Sequence, residues 1–392
     1  MRRTLSLTQQ VYSSDVVGSG KADMAETSER RGYLDWMRGV AVLVMIQAHV
    51  IDSWTRDASR SGQGFRNAVV LAGFAAPLFL FLAGVASVLA AESKRRRTGS
   101  DAIAAGAVRR RGLEIFALAF LFRLQAYLLA PGATLAGIFK VDILNIMGPS
   151  IVATATIWEL ARTRTNRIVA LALVTISIGI ITPIIREAAW PLALPDQMEW
   201  YLRPAVGRAT FTIFPWAGLL VAGGLVGLLL NSTDGVRERS WMMAAFGIGG
   251  ATLALVSYEM SFLPSMYARA SFWTTSPTYF FLRIGIMMMI IPIAWLWDRR
   301  RVWLRRAHWS PLEELGRSSL FAYWIHVEMV YGFLSYPLHR QLSLEGSFAA
   351  WALFSLLIFG LVRLKNRLVA MRHAGSLGLR WNRLSRPNLL GG

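Results

Sequence analysis

The sequence predicts an all-α, polytopic integral membrane protein of about ten transmembrane helices with both termini in the cytoplasm. Three observations carry this prediction. Of the 392 residues 54% are hydrophobic and only 17% charged, with a positive mean hydropathy. The apolar residues fall in long blocks, each near the roughly 20 residues that span a hydrocarbon core. The net charge of +19 is gathered in short clusters between the blocks: "SKRRR", "RRR" and "DRRRVWLRR". That placement is the positive-inside pattern of cytoplasmic loops, not the continuous basic face of a nucleic-acid-binding domain. The chain has no cysteine, which excludes disulfide frameworks, thiolate metal sites and cysteine nucleophiles.

The blocks place spans at about 33–55, 67–91, 112–130, 141–161, 168–185, 209–230, 241–264, 278–298, 318–337 and 346–362. Residues 1–32 read as a disordered cytoplasmic tail without the apolar core of a cleavable signal peptide, so the first span serves as the targeting signal. Residues 33–363 form the helical domain, and 364–392 a basic cytoplasmic tail. Segment 186–208, with "WPLALPDQMEWYLRP", is the longest loop without a basic cluster and reads as an interfacial or short re-entrant piece. No internal repeat is visible. With the N-terminus inside, 30 of the 42 Lys and Arg residues face the cytoplasm and nine the outside, while Arg38, Arg123 and Arg283 lie within spans.

That orientation assigns depth. The first span, "YLDWMRGVAVLVMIQAHVIDSW", puts Asp35 and Arg38 near the cytoplasmic surface. His49, fourteen residues on, lies about 21 Å further along a helix. With Asp35 at 0°, Arg38 falls near 300°, His49 near 320° and Asp52 near 260°, whereas Gln47 points about 120° the other way. Charge at membrane depth costs roughly 2.5–3.5 kcal/mol per residue on insertion scales, so such a stripe faces the bundle interior or a wet cavity. Asp35 and Arg38 read equally well as an i, i+3 ion pair at the helix start.

Other spans carry Arg123, Asp142, Asn145, Glu259 and Arg283 to similar outer depth. Arg123 with Asp142 also reads as an interhelical salt bridge. In "FPWAGLLVAGG", Pro215 is expected to kink the sixth span, and the glycines to permit close helix packing. In "GRSSLFAYWIHVEMVYG", Ser319, Tyr323 and His326 share about a 60° arc, with Glu328 opposite. His326, near mid-membrane, is expected to be neutral and hydrogen-bonded through Tyr323.

"LDWMRGVAVLVMIQAH" resembles the Asp-x-x-Arg-Gly…His opening of integral-membrane acyltransferases. It is followed in order by "FAAPLFLFLAGVASVL", "VDILNIMGPSIV", "FTIFPWAGLLVAGGLVG", "WTTSPTYFFLRIG" and "LGRSSLFAYWIHVEMVYG". Together, over about residues 32–335, these are most similar to the heparan-α-glucosaminide N-acetyltransferase-like family of the transmembrane acyltransferase superfamily. The opening motif is shared with the acyltransferase-3 family. The resemblance implies transfer of an acetyl or similar acyl group from cytoplasmic acyl-CoA to a sugar or other hydroxyl or amine acceptor across the membrane. It makes His49 the candidate catalytic histidine and Asp35 with Arg38 the signature pair.

Acyl transfer needs a base for the acceptor and donors for the oxyanion, and without cysteine histidine is the natural base. The expected catalytic set is His49, Asp52, Asp35 and Arg38, with Asp52 or Asp142 orienting His49. The expected substrate-binding set is Arg123, Asp142, Asn145, Arg283, Tyr323 and His326. Within it, Arg123 or Arg283 serves the oxyanion or an anionic acceptor. Arg38 and the Arg109–Arg111 cluster are expected to attract the coenzyme A phosphates. No metal is expected. The expected partners are membrane lipids, acyl-CoA and a glycan or small-molecule acceptor, with a second copy of the chain as a candidate and no nucleic acid. The expected location is a bacterial cytoplasmic membrane. A transporter or flippase of a glycan or lipid precursor stays open beside the enzyme, because intramembrane charges mark transport paths as well as active sites.

Overall fold

Apolar residues in unbroken blocks leave the backbone no solvent to bond, so each block must satisfy its own N–H and C=O groups as a helix. The computed structural model describes residues 31–129, 134–231, 236–303 and 309–384. The expected N-terminal tail lies outside them apart from its last two residues. In chain order the helices are α1 (Gly32–Trp54), α2 (Gln63–Ala72), α3 (Ala75–Thr98), α4 (Asp101–Leu129), α5 (Ile143–Leu160), α6 (Arg164–Glu187) and the short α7 (Asp196–Leu202). There follow α8 (Ile213–Leu230), α9 (Val236–Met260), α10 (Pro277–Trp303), the short α11 (Pro311–Arg317), α12 (Ser319–Tyr331) and α13 (Leu344–Leu384). Every expected span is helical. Among the described residues, eight helical segments are long and apolar enough to cross a membrane. The other two expected spans are α4, which carries Glu114 and Arg123, and α12, which has 13 residues. Residues 364–384 continue α13 as helix.

The basic clusters meet at one end of the bundle. Arg31 donates to the Leu230 carbonyl at 2.9 Å, Arg96 to Asn231 at 2.7 Å, and Arg109 pairs with Glu159. His49 lies toward the opposite, far end of α1.

Helices α1 and α8 form the buried centre, whereas α6, α9 and α13 turn most of their apolar surface outward. Small residues set the central packing. A Cβ at Gly223 or Gly84 would collide with the backbone of the facing helix, at Phe81 or Leu220, so α3 and α8 approach to backbone contact. Gly39 on α1 and Gly316 on α11 do the same, against Leu312 and Asp35. Near Pro215 the chain is irregular as expected: Phe214 has φ −98° and ψ 119° at the first turn of α8.

The 186–208 segment folds as a 3₁₀ turn at Trp190–Ala193 followed by α7. It is pinned over the start of α5. Val141 N–H donates to the Arg208 carbonyl at 2.9 Å, and Trp200 is buried with Val141, Ile146 and Ala209.

Candidate functional site

The two histidines singled out from separate spans meet. His49 Nδ1 lies 2.8 Å from His326 Nε2, with the rings stacked at 5.0 Å and 29°. His326 is 0% exposed, whereas His49 is only half-buried. The second nitrogen of His326, Nδ1, is 2.7 Å from the Ala322 carbonyl. A carbonyl oxygen only accepts, so Nδ1 of His326 carries the hydrogen and, in the neutral ring, Nε2 offers a lone pair. His49 must then donate through Nδ1, which leaves its own Nε2 as the lone-pair nitrogen. That nitrogen has no hydrogen-bond partner among the described residues. The carbonyl four residues before His326 thus fixes the tautomer of both rings. It also corrects two expectations. His326 bonds the Ala322 carbonyl and His49 instead of Tyr323, whose ring stands edge-on to it at 6.0 Å. His49 Nδ1 is bonded to His326, and among the described residues it makes no hydrogen bond to Asp52 or Asp142. Asp52 is exposed, accepts from Tyr331 at 3.0 Å, and is approached by Arg60. Tyr331 stands edge-on to His49 at 5.6 Å and so connects Asp52 to the pair indirectly.

Asp142 is the hub on the other flank. It caps α5: Oδ1 accepts from the Ile143 N–H at 2.6 Å, while Asn145 accepts from the Asp142 N–H at 2.9 Å, completing a capping box. Its Oδ2 takes the Arg123 guanidinium at 2.6 Å, the salt bridge expected between those spans. Tyr323 of α12 lies near enough to the same carboxylate to interact with it electrostatically. Three helices therefore converge on one side chain beside the histidines. Arg123 Nε is buried without a hydrogen-bond partner among the described residues. Asn145 is fully buried and reaches Tyr201 of α7 at 3.4 Å. In the covering loops, burial raises the Tyr201 hydroxyl above its ordinary value, against the Asn145 hydrogen bond. Burial, then Arg123, hold the Lys140 ammonium below the usual lysine value, against Asp142.

Three expected residues sit elsewhere. Arg283 is buried with its guanidinium 3.9 Å from the Tyr279 ring and 5.6 Å from Trp216, and its Nε has no hydrogen-bond partner among the described residues. Trp216 packs on Phe211, so Arg283 adjoins the aromatic cover over α5 and does not touch the histidines. Asp35, 2% exposed, accepts from Arg38 at 2.8 Å and from Arg317 at 3.3 Å, and it lies at the basic end. With Gly39 against α11, the Asp-x-x-Arg-Gly signature locks α1 to α11 about 21 Å along the helix from His49. Sequence reasoning missed Arg317, Tyr201 and Tyr331. Arg317 and Tyr331 lie inside the quoted "GRSSLFAYWIHVEMVYG", but no spacing rule ties them to α1.

The described residues form a polytopic helical bundle in which a hydrogen-bonded histidine pair lies near an Arg–Asp ion pair. The family model described as heparan-alpha-glucosaminide N-acetyltransferase, catalytic, matches residues 30–260, more than half of the chain, and the chain belongs to that family. The match includes His49, Arg123, Asp142 and Asn145 and stops short of His326. No curated protein matches the chain. The protein is a multi-pass membrane acetyltransferase, which decides between the enzyme and the transporter or flippase.

Proposed function

We propose that this enzyme moves an acetyl group from acetyl-CoA, delivered from the cytoplasm at the basic end, to a sugar hydroxyl or amine at the far end, in a bacterial cytoplasmic membrane. The observation that carries the reading is the Ala322–His326–His49 relay, which presents a half-accessible imidazole as a base of defined tautomer. His49 Nε2 takes the proton of the acceptor O–H or N–H as the acceptor atom attacks the thioester carbonyl. The new C–O or C–N bond forms, the C–S bond breaks, and the imidazolium returns the proton to the departing thiolate. His326 is the positioning residue for His49. Arg123 supplies an N–H to the oxyanion of the tetrahedral intermediate, and Asp142 holds its guanidinium in place. Asn145 and Arg283 stand on the acceptor side, under and beside the aromatic cover. Asp35 and Arg38 hold the donor-side entrance by fixing α1 to α11.

The test is acetyl-CoA turnover by the purified protein with amino- and hydroxy-sugar acceptors. His49→Ala is expected to lose about 10²–10⁴-fold in kcat, the usual share of a general base. Equal turnover by wild type and His49→Ala would end the assignment.

A further inference from the structure

At the basic end, far from the histidines, a cavity of about 240 Å³ opens between α3, the α5–α6 turn and α8. Glu92, Arg95, Arg162, Arg164, Arg167, Leu228 and Asn231 line it. Its floor is fixed. Arg167 is 3% exposed and bonds Asp101 at 2.5 Å, Glu92 at 3.3 Å and the Trp158 carbonyl at 2.9 Å, with its guanidinium 3.8 Å from the Trp158 ring. Glu92 also accepts from Trp158 at 2.9 Å, Arg95 at 3.0 Å and Asn231 at 3.4 Å. The two carboxylates there, Glu92 and Asp101, are thus committed to Arg95 and Arg167. Arg162 and Arg164 are exposed and have no ion pair or side-chain hydrogen bond among the described residues. Four arginines against two carboxylates leave the cavity two positive charges in surplus. Arg162 holds a left-handed backbone (φ 38°), and Thr163 then caps the 24-residue α6 by accepting from Asn166 N–H. The positive end of α6 therefore adds to the field at the same place.

We propose that this cavity binds the phosphate of an anionic phospholipid headgroup. The charge surplus calls for an anion, and guanidinium groups match phosphate oxygens in geometry. Size argues against a whole soluble ligand, because pockets for such molecules run to roughly 300–1,000 Å³. A headgroup whose tails stay outside fits. Lipid is also the neighbour the fold supplies: Val169, Leu173, Ile176 and Ile180 form an exposed apolar stripe up α6, the helix that starts at the cavity. Basic pockets between transmembrane helices hold anionic headgroups in this way. The site is independent of the acyl-transfer reading, and its test needs no turnover.

The experiment is native mass spectrometry of the full chain in detergent, supplied equally with dioleoylphosphatidylglycerol and dioleoylphosphatidylcholine. Wild type is expected to retain the anionic lipid preferentially. Removing two surface charges in Arg162→Ala/Arg164→Ala is expected to weaken that retention about thirtyfold, leaving the neutral lipid unchanged. Arg162→Lys/Arg164→Lys should keep most of it. Both side chains are exposed and make no hydrogen bond among the described residues, so the variants are expected to fold. Equal retention of phosphatidylglycerol by wild type and the double-alanine variant overturns the proposal. So does a cavity that serves free anion alone: stabilisation of wild type by inorganic phosphate, lost in the double-alanine variant, with no preference for anionic lipid in either.

Discussion

Replacing His326 by phenylalanine removes the acceptor of the His49 Nδ1–H and keeps an apolar ring of similar shape in a fully buried position. A single net hydrogen bond of about 0.5–1.5 kcal/mol corresponds to roughly two- to thirteenfold in an equilibrium. Loss of tautomer control alone, with the proton shared evenly between the two nitrogens of His49, would halve the competent base. The half-buried His49 also loses the stack that sets its angle, and misaimed general bases forfeit up to about 10²–10⁴ in rate. The expected result is therefore a fall in kcat of at least about tenfold for His326→Phe, with KM for acetyl-CoA little changed. His326→Gln places an amide oxygen near the position of Nε2, so the bond from His49 is restored and kcat should recover to within about threefold of wild type. Single-turnover acetyl transfer, with thermal unfolding to confirm intact packing, reads both. A folded His326→Phe protein with unchanged kcat, or a His326→Gln protein as slow as His326→Phe, would refute the relay.

Four further outcomes are expected. Glu92→Ala takes the acceptor from the buried Trp158 N–H and one of the two carboxylates from Arg167, which keeps Asp101, and should cost about 1.5–3 kcal/mol in thermal or denaturant unfolding, the scale of lost hydrogen bonds to a charged group. Gly39→Val drives side-chain atoms into the Leu312 backbone and should destabilise by at least about 1–3 kcal/mol, seen as a lower unfolding temperature. Asp142→Ala removes the cap of α5 and the partner of Arg123. The cap alone should cost about 0.5–2 kcal/mol in the same unfolding assay, with a fall in kcat besides, whereas a purely structural Asp142 would leave kcat unchanged. For Lys140, the folded amine titrates below its unfolded value, so the unfolded chain binds the extra proton between the two. Stability should rise with pH from that lowered value up to the ordinary lysine value of about 10.4, and the rise should be absent in Lys140→Met.

Much of the bundle was legible because a bilayer permits few solutions: apolar blocks must be helices, and basic clusters must share an end. The helical course of the apolar blocks, the Asp35–Arg38 pair and the Arg123–Asp142 bridge follow from length, phase and depth. Helical phase put His49 and Asp52 on one stripe, yet their surroundings differ. The pairing of His49 with His326 joins residues 277 positions apart, and no periodicity within either helix encodes which helices are neighbours. The same gap hid Arg317 beside Asp35. Depth alone grouped Arg283 with the site, whereas packing of the aromatic cover sets it aside among Tyr279 and Trp216. The 186–208 segment read as interfacial from its Trp and Pro content, but its role in covering the α5 cap depends on tertiary pairing with Val141.

Helices α4 and α5 are fastened at three heights. Arg109 pairs with Glu159 at the basic end and Arg123 with Asp142 at the far end, while between them Gly112 and Gly148 meet backbone to backbone. Two ion latches and a zipped middle oppose both sliding and splaying of this hairpin. Its other margin, toward α12, is stitched by Trp324 to Gln125 and by Phe122 against Tyr323 and Trp324, above a groove of about 510 Å³. Among the described residues, one side of α4 is thus held by two ion pairs and a backbone contact, and the other by a single hydrogen bond and ring contacts, so the seam toward α12 is the more weakly tied of its two margins.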